Sequence, residues 1–177
     1  MDFTIRQAGS KDIEILMSWR MEVLCEVFGI PAGQDMTELE QANRSYYQAM
    51  LKTNAHIACF AYQEEIIGCG GICIYEEMPS PDNPTGLCAY LMNLYTRLPY
   101  RGHGTGKKMV GWLIAQAMQR GITKIYLETS DCGRKMYQKM GFAPMLGYLK
   151  WDKDNFKGDT ASPDWLASSP DAAVQQE

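Results

Sequence analysis

The sequence predicts an α/β domain built on a single mixed sheet with helices on both faces. Three observations carry this. Amphipathic helical runs alternate with short apolar runs of β-favouring residues, and three of those strand candidates follow one another in mid-chain. The 177 residues, 46% hydrophobic and 21% charged, suit one ordinary core. Beyond Trp151 the chain turns polar and rich in Pro, Ser and Asp, so a domain over 1–151 is expected to carry a loosely packed extension over 152–177.

The elements follow in order. "FTIR", Phe3 to Arg6, is a short strand candidate. Ser10 offers an N-cap to a first helix in which Ile13, Leu16, Met17, Val23, Leu24 and Val27 recur at helical spacing, and Gly29 with Pro31 stops it. Thr37 and Glu40 match a capping box for a second helix, running to about Thr53. "AHIACFAY" and "IIGCGGICIYEEM" flank Gln63-Glu64-Glu65 as two strands joined by a tight turn. Gly68, Gly70 and Gly71 in the second permit bulging or close approach. "PSPDNPTG" is a loop, and "LCAYLMNLYT", Leu87 to Thr96, is the next strand. A third helix turns Met109, Val110, Leu113, Ile114 and Ala117 to one face; Trp112 falls in its polar stripe, where the tail or a second subunit in a homodimer would cover it. "ITKIYLET" reads as a buried strand, "DCGRKMYQKMGF" as a short helix ended by Gly141, and "MLGYLKW" as a last strand.

Charge is unevenly placed. Met1 to Asp82 holds thirteen acids and five bases; Asn83 to Leu127 holds no acid and six bases. Clearing carboxylates from one central segment of an acidic chain prepares it for something negative. No run approaches the roughly 18 apolar residues of a membrane span, so no membrane partner is expected. The opening "MDFTIRQAGSKD" has neither a basic nor an apolar leader region, which makes the cytoplasm the expected compartment. Six scattered cysteines without CxxC spacing, and only two histidines, argue for buried thiols in a reducing compartment and no metal, although Cys69 and Cys73 would share a strand face.

The stretch "LPYRGHGTGKKMVGWLIAQAM", Leu98 to Met118, puts three alternate glycines and two lysines at a helix entrance. Bare backbone there, with the positive end of the helix dipole, makes an anion cradle. A nucleotide P-loop is excluded because Arg101 stands where its first glycine belongs and Lys108 where its Ser or Thr belongs. A dinucleotide fingerprint is excluded because Lys107 follows Gly102 and Gly104 at the third glycine position. What remains is R-G-H-G-T-G, fitting Q/R-x-x-G-x-G/A from Arg101 to Gly106.

This pattern resembles the acetyl-CoA loop of the GNAT (GCN5-related N-acetyltransferase) superfamily, and "TSDCGRKMYQKMGF" is similar to the GR-x-LY-x-x-x-GF signature of that superfamily's last helix. The resemblance covers about Phe3 to Trp151. It implies a mostly antiparallel central sheet flanked by helices, with a splayed strand pair holding acetyl-CoA as cosubstrate. The coenzyme's diphosphate would lie on the amides of Arg101, Gly102, His103, Gly104, Thr105 and Gly106, with charge added by Lys107 and Lys108. Leu94, Tyr95 and Thr96 would pair with the pantetheine arm, and an amide near Leu94 or Tyr95 would hold the oxyanion; an ordinary core strand is the other reading of these three. Ser130 and Asp131 would cap the last helix or touch the coenzyme arm, with Arg134 near the phosphates. Tyr137 occupies the position of the general acid that protonates the leaving thiolate, and is otherwise a core tyrosine.

The resemblance thus implies acetyl transfer to a primary amine, of a small molecule or of a peptide, by direct attack. "CAYLMNLYT" lacks the glutamate that some members carry on this strand, so the base is left among Glu22, Glu26, Glu76, Glu77 or a water chain. His103 is expected to face phosphate or solvent, and His56 to be structural. The acceptor is expected between the first two helices and the third and fourth strands, where a cationic amine would suit the acids and Phe28, Tyr46, Tyr47 and Tyr75 would form a wall. A catalytically silent acyl-CoA binding module on the same fold is the alternative. A nucleic-acid surface is not expected, for want of a basic helix or interleaved aromatics.

Overall fold

A computed structural model of the chain describes residues 2–150. One compact unit ends at Phe142 and a second begins at Ala143. In the first, β1 (Thr4–Ala8) leads through a 3-10 turn into α1 (Ile13–Phe28), followed by α2 (Thr37–Lys52), β2 (His56–Tyr62), β3 (Ile66–Glu76) and β4 (Leu87–Thr96). Then come α3 (Thr105–Met118), β5 (Lys124–Leu127) and α4 (Asp131–Lys139). The sheet runs β1-β2-β3-β4-β5 in space, antiparallel throughout except for the parallel β4–β5 pair that α3 connects.

The two faces of the sheet hold separate cores. Ile57, Ile67, Ile72 and Leu91 pack on Met109, Val110 and Leu113 of α3, with Tyr137 of α4 in the same cluster. On the other face Phe60, Cys69 and Tyr95 meet Leu16, Met17 and Trp19 of α1 and Tyr47 and Leu51 of α2. Because β2 and β3 are covered on both sides, they read as near-continuous apolar sequence rather than as an alternation. Burying a side chain such as Phe60 or Ile72, each 0% exposed, stabilises the fold by about 1.5–3 kcal/mol.

The helix starts use other caps than the sequence predicts. Ser10 lies inside the 3-10 turn, and the buried Asp12 organises this corner: Oδ2 accepts the Gly9 N–H at 2.9 Å while Oδ1 accepts both terminal nitrogens of Arg6 at 3.1 and 3.0 Å. At α2 no Thr37–Glu40 box forms. Asp35 Oδ1 accepts both the Thr37 N–H (2.9 Å) and the Thr37 hydroxyl (2.7 Å), since an ionised carboxylate outcompetes a hydroxyl as acceptor. Gly29 ends α1 as expected, at φ +62° with its N–H on Cys25 O. Trp112 packs half-buried against the α3-side core.

Two strand expectations are corrected. β5 is four residues of intermediate burial at the sheet edge, not a buried eight-residue strand. The expected last strand over Met145 to Trp151 is absent from 145–150: Gly147 sits at φ +86°, which breaks an extended run, and Leu146 and Leu149 are exposed. Trp151 and the expected extension over 152–177 lie outside the described residues.

The glycines of β3 accompany both bulging and close approach: against β2 the extra residue, Ile67, lies on β3 beside Gly68, whereas against β4 the bulge is on the other strand. Cys69 pairs with Tyr95 and Gly71 with Met92, so the extra residue lies on β4, where Asn93 adopts φ +54°. A Cβ on Gly68 would stand 2.7 Å from the Tyr95 carbonyl oxygen, a main-chain atom that cannot swing aside. Gly68→Ala is therefore expected to cost about 1–3 kcal/mol of stability, read as a lowered urea midpoint; an unchanged midpoint would show that β4 tolerates displacement there.

Candidate active site

The glycine loop follows β4 through a 3-10 turn, Leu98–Tyr100, and enters α3 at Thr105. Arg101 is pinned at its base: Nε donates to Thr96 O at 2.7 Å, and the guanidinium pairs with Glu26 of α1 at 2.6 Å. Thr105 turns inward, buried, with its hydroxyl on Tyr100 O. Between them Gly102 and Gly104 take φ +82° and +84° on either side of the exposed His103. A Cβ at either glycine would meet no atom within 4 Å, so the left-handed backbone, not packing, demands glycine there. Six consecutive amides, from Gly102 to Lys107, donate to no described residue. Alternating backbone angles and a helix start together form a concave nest of N–H donors, a geometry that suits an anion. Lys107 is exposed beside it, whereas Lys108 is directed elsewhere, with Nζ on Phe3 O at 2.7 Å and over the Phe3 ring.

β4 and β5 part below this loop. Their pairing ends at Leu91 with Leu127, while β4 continues to Thr96. The bulge at Asn93 sets the side chains of this stretch. Leu94 turns toward Gly70 of β3 and Gly106 of α3. Tyr95 turns to the α1 side, where its ring meets Trp19 edge-on and its hydroxyl donates to Glu26 at 2.5 Å. In α4, Ser130 is the extended N-cap residue, and its carbonyl accepts the N–H of Gly133 and Arg134. Exposed Asp131 and Arg134 pair with each other at 3.2 Å. Tyr137 is 9% exposed, and burial pushes its phenol up to about 12. Its hydroxyl bonds to no described residue, and among the described residues no sealed side-chain oxygen or nitrogen is without a partner, so the Tyr137 oxygen is not sealed from solvent.

Three of the four carboxylates expected as candidates for the base, Glu22, Glu26 and Glu77, are held in ion pairs. Arg97 holds Glu22 through two bonds of 2.9 and 2.7 Å and keeps its pKa below the usual range. Tyr95 and Arg101 do the same to Glu26, and Lys124 with Tyr75 to Glu77. Glu14 is paired with Arg44. Glu76 is exposed at the end of β3. The acids concentrated on α1 are thus neutralised by partners; Phe28 is 72% exposed, Tyr75 bonds Tyr126, and neither is among the residues that line the cavity on this side of the sheet.

On the α1 and α2 side of the sheet lies a cavity of about 180 Å³. The bulge turns Met92 and Asn93 into it together, α2 supplies Asn43, Tyr46 and Tyr47, β2 supplies His56, and α1 supplies Arg20. Tyr46 and Tyr47 are where the sequence expected them. Arg20, Asn43, His56 and Asn93 were missed as a site. The available signal was a cation in the apolar stripe of α1, between Met17 and Leu24, and an asparagine inside an apolar strand. His56 is 3% exposed and shares a hydrogen bond of 3.1 Å between Nδ1 and the Tyr46 hydroxyl. Burial, with the charge of Arg20 added, pushes its pKa down from 6.5 to about 4. Among the described residues no three or more metal-ligating side chains converge, and no helix is long and apolar enough to cross a membrane.

The His56 shift has a sign. Between about pH 6.5 and pH 4 the unfolded chain takes up a proton that the folded chain refuses, so stability falls with falling pH across that window. His56→Asn is expected to flatten this decline in urea titrations at about pH 7 and pH 4.5; parallel declines in both proteins would mean that His56 titrates normally.

Comparison with known proteins agrees with this geometry. The acetyltransferase (GNAT) family model matches residues 19–142. A crystal structure of a predicted acetyltransferase with acetyl-CoA from Clostridium acetobutylicum superposes with a TM-score of 0.79 at 29% identity, covering 89% of this chain and 100% of that one. A thialysine N-epsilon-acetyltransferase of Sus scrofa is 23% identical over 107 residues, 49% of this chain and 63% of its own length. YjgM of Escherichia coli, an uncharacterized N-acetyltransferase, is 25% identical over 118 residues, 65% of this chain and 67% of its own. The chain thus spans about two thirds of the curated relatives it matches. With β2 to β5, the glycine loop and the parted strands all inside the matched span, this chain belongs to the GNAT family of acetyltransferases.

Proposed function

We propose that the chain is an N-acetyltransferase that moves the acetyl group of acetyl-CoA to a small primary amine by direct attack. The observation that carries this reading is the run of six unspent amides, Gly102 to Lys107, next to the end of β4 where β5 has left it. Those donors and the α3 dipole fit a diphosphate without a metal. Bare Gly102 and Gly104 leave their approach open, and Leu94 to Thr96 offer the strand edge along which an amide-bearing arm would lie. Arg134 and Ser130 at the start of α4 are placed in our reading at the coenzyme's side of the site.

Acetyl-CoA supplies an acyl group activated as a thioester. The chain's own part is positional and protonic. The amine nitrogen forms a C–N bond as the C–S bond breaks; one proton leaves the nitrogen and one arrives on sulfur. Tyr137, held protonated by its raised pKa, is suited to donate that second proton and unsuited to act as base. Since Glu22, Glu26 and Glu77 are tied in ion pairs, we assign the first proton to water in the cavity beside Tyr46 and His56. The relative that acts on thialysine supports a small amine as acceptor class. Six free cysteines support a reducing compartment, such as the cytoplasm.

Acetyl-CoA is expected to raise the melting temperature, and Gly104→Glu to abolish that rise, because a carboxylate at φ +84° occupies the diphosphate seat; a rise preserved in the variant would displace the cradle from this loop. Tyr137→Phe is expected to lower kcat by about 10²–10⁴-fold with little change in KM for acetyl-CoA, and equal turnover would remove Tyr137 from the chemistry.

A further inference from the structure

We propose that the amine acceptor carries an anionic oxygen group, a carboxylate or a phosphate, and that Arg20 is the residue that receives it. The inference rests on the acetyltransferase reading above and adds to it the chemical class of the acceptor.

Arg20 is the single charged side chain of the cavity, and no aspartate or glutamate lines it. Its guanidinium is held on two sides: Nε donates to Asn43 Oδ1 at 2.9 Å and one terminal nitrogen donates to Asn93 Oδ1 at 3.0 Å. A guanidinium has five N–H donors in a rigid fork, so three remain uncommitted after these two bonds. Both partners are neutral amides, which orient the fork without cancelling its charge.

The other arginines of this region are treated differently. Arg44, Arg97 and Arg101 each pair with a glutamate of α1. Arg20, although half-buried, has no carboxylate within ion-pair distance among the described residues. A partly desolvated cation left without a counter-charge is unfavourable by itself and becomes favourable once an anion arrives. Its field already acts on the cavity, opposing the burial that raises the Tyr46 and Tyr47 phenols and adding to the depression of His56. Tyr47, 3% exposed, lines the same cavity, and its hydroxyl bonds to no described residue.

The net charge of −4 favours a cationic acceptor by long-range attraction, but the cavity wall has the opposite character. It offers a fork for an anion and no carboxylate for an ammonium, so a bare diamine gains nothing from it. Asn93 links this preference to the reaction, because the residue that aims the guanidinium is the bulge residue of β4, on the segment assigned to the thioester. A volume of about 180 Å³, smaller than the roughly 300–1,000 Å³ of pockets for drug-sized ligands, limits the acceptor to a compact molecule.

The test compares matched pairs at constant ionic strength: L-lysine with its carboxamide, 4-aminobutyrate with butylamine, and phosphoethanolamine with ethanolamine. Thiol release from acetyl-CoA gives kcat/KM, and thermal shift gives binding without turnover. The member that carries the anionic group is expected to exceed the partner that lacks it by about ten- to hundredfold, with the carboxylate and phosphate arms separating the two sources. Arg20→Gln is expected to erase the difference through KM and to remove the thermal shift of the members that carry the anionic group, with Arg20→Lys intermediate. Preference for the amines without an anionic group or for diamines, or an equal loss for both members in Arg20→Gln, would overturn the inference while leaving the acetyltransferase reading intact. Absence of both a thermal shift with acetyl-CoA and thiol release with any amine would overturn the reading beneath it as well.

Discussion

The close contact between β3 and β4 is the constraint on which the site depends. With Gly68 and Gly70 on β3, the main chain and Leu94 of β4 come to where a side chain would otherwise stand, while Gly71 leaves room for His56 of β2. That proximity accommodates one extra residue on β4, and Asn93 absorbs it at φ +54°. Two consequences follow from this one local event. Met92 and Asn93 face the same side and open a cavity under α1 and α2, and Leu94 is turned toward the start of α3. A regular β4 would have alternated Met92 and Asn93 across the sheet and produced no such cavity.

Electrostatic pairing then stiffens the surroundings. Glu22 and Glu26, one turn apart on α1, clamp Arg97 and Arg101, with Arg97 stacked 4.3 Å over Trp19 and Arg101 5.3 Å from Tyr95. These pairs are a third to two fifths exposed, so each contributes little to stability, but together they tie α1 to the root of the glycine loop. They also explain how a chain with net charge −4 presents positive character where it matters. The acids of α1 are consumed by the arginines that leave β4, which leaves the loop amides and Arg20 without local opposition. Both ends of the candidate site, the loop and the cavity, favour negative groups.

Much of this was legible in the sequence, and the limits are physical. Periodicity placed α1, α3 and β4 closely, because each presents an apolar pattern that matches its own geometry: Met109, Val110, Leu113 and Ala117 share one helical face, and Leu87 to Thr96 is one uninterrupted β-favouring run. The glycine loop and its position before a helix were legible for the same reason, since its conformation depends on residues within six positions of each other. Caps were less so. Asp12 and Asp35 displaced Ser10 and Thr37 because a carboxylate within reach is the stronger acceptor, and reach depends on the backbone path. The run over 145–150 has strand composition, but Gly147 takes a left-handed angle there.

The chain by itself therefore determined the order of elements from β1 to α4, the glycine loop at the start of α3 and membership of an acetyltransferase fold, since these follow from local conformational preference and short-range spacing. Tertiary structure alone decided which charges remain unpaired. Arg20, Asn43, His56 and Asn93 lie up to 73 positions apart and carry no common motif; they form a cavity because a bulge, two helices and a strand converge on one face of the sheet. Whether an arginine becomes a surface ion pair or a receptor for an anion depends on what folding brings beside it, and that is a property of three-dimensional contact rather than of sequence.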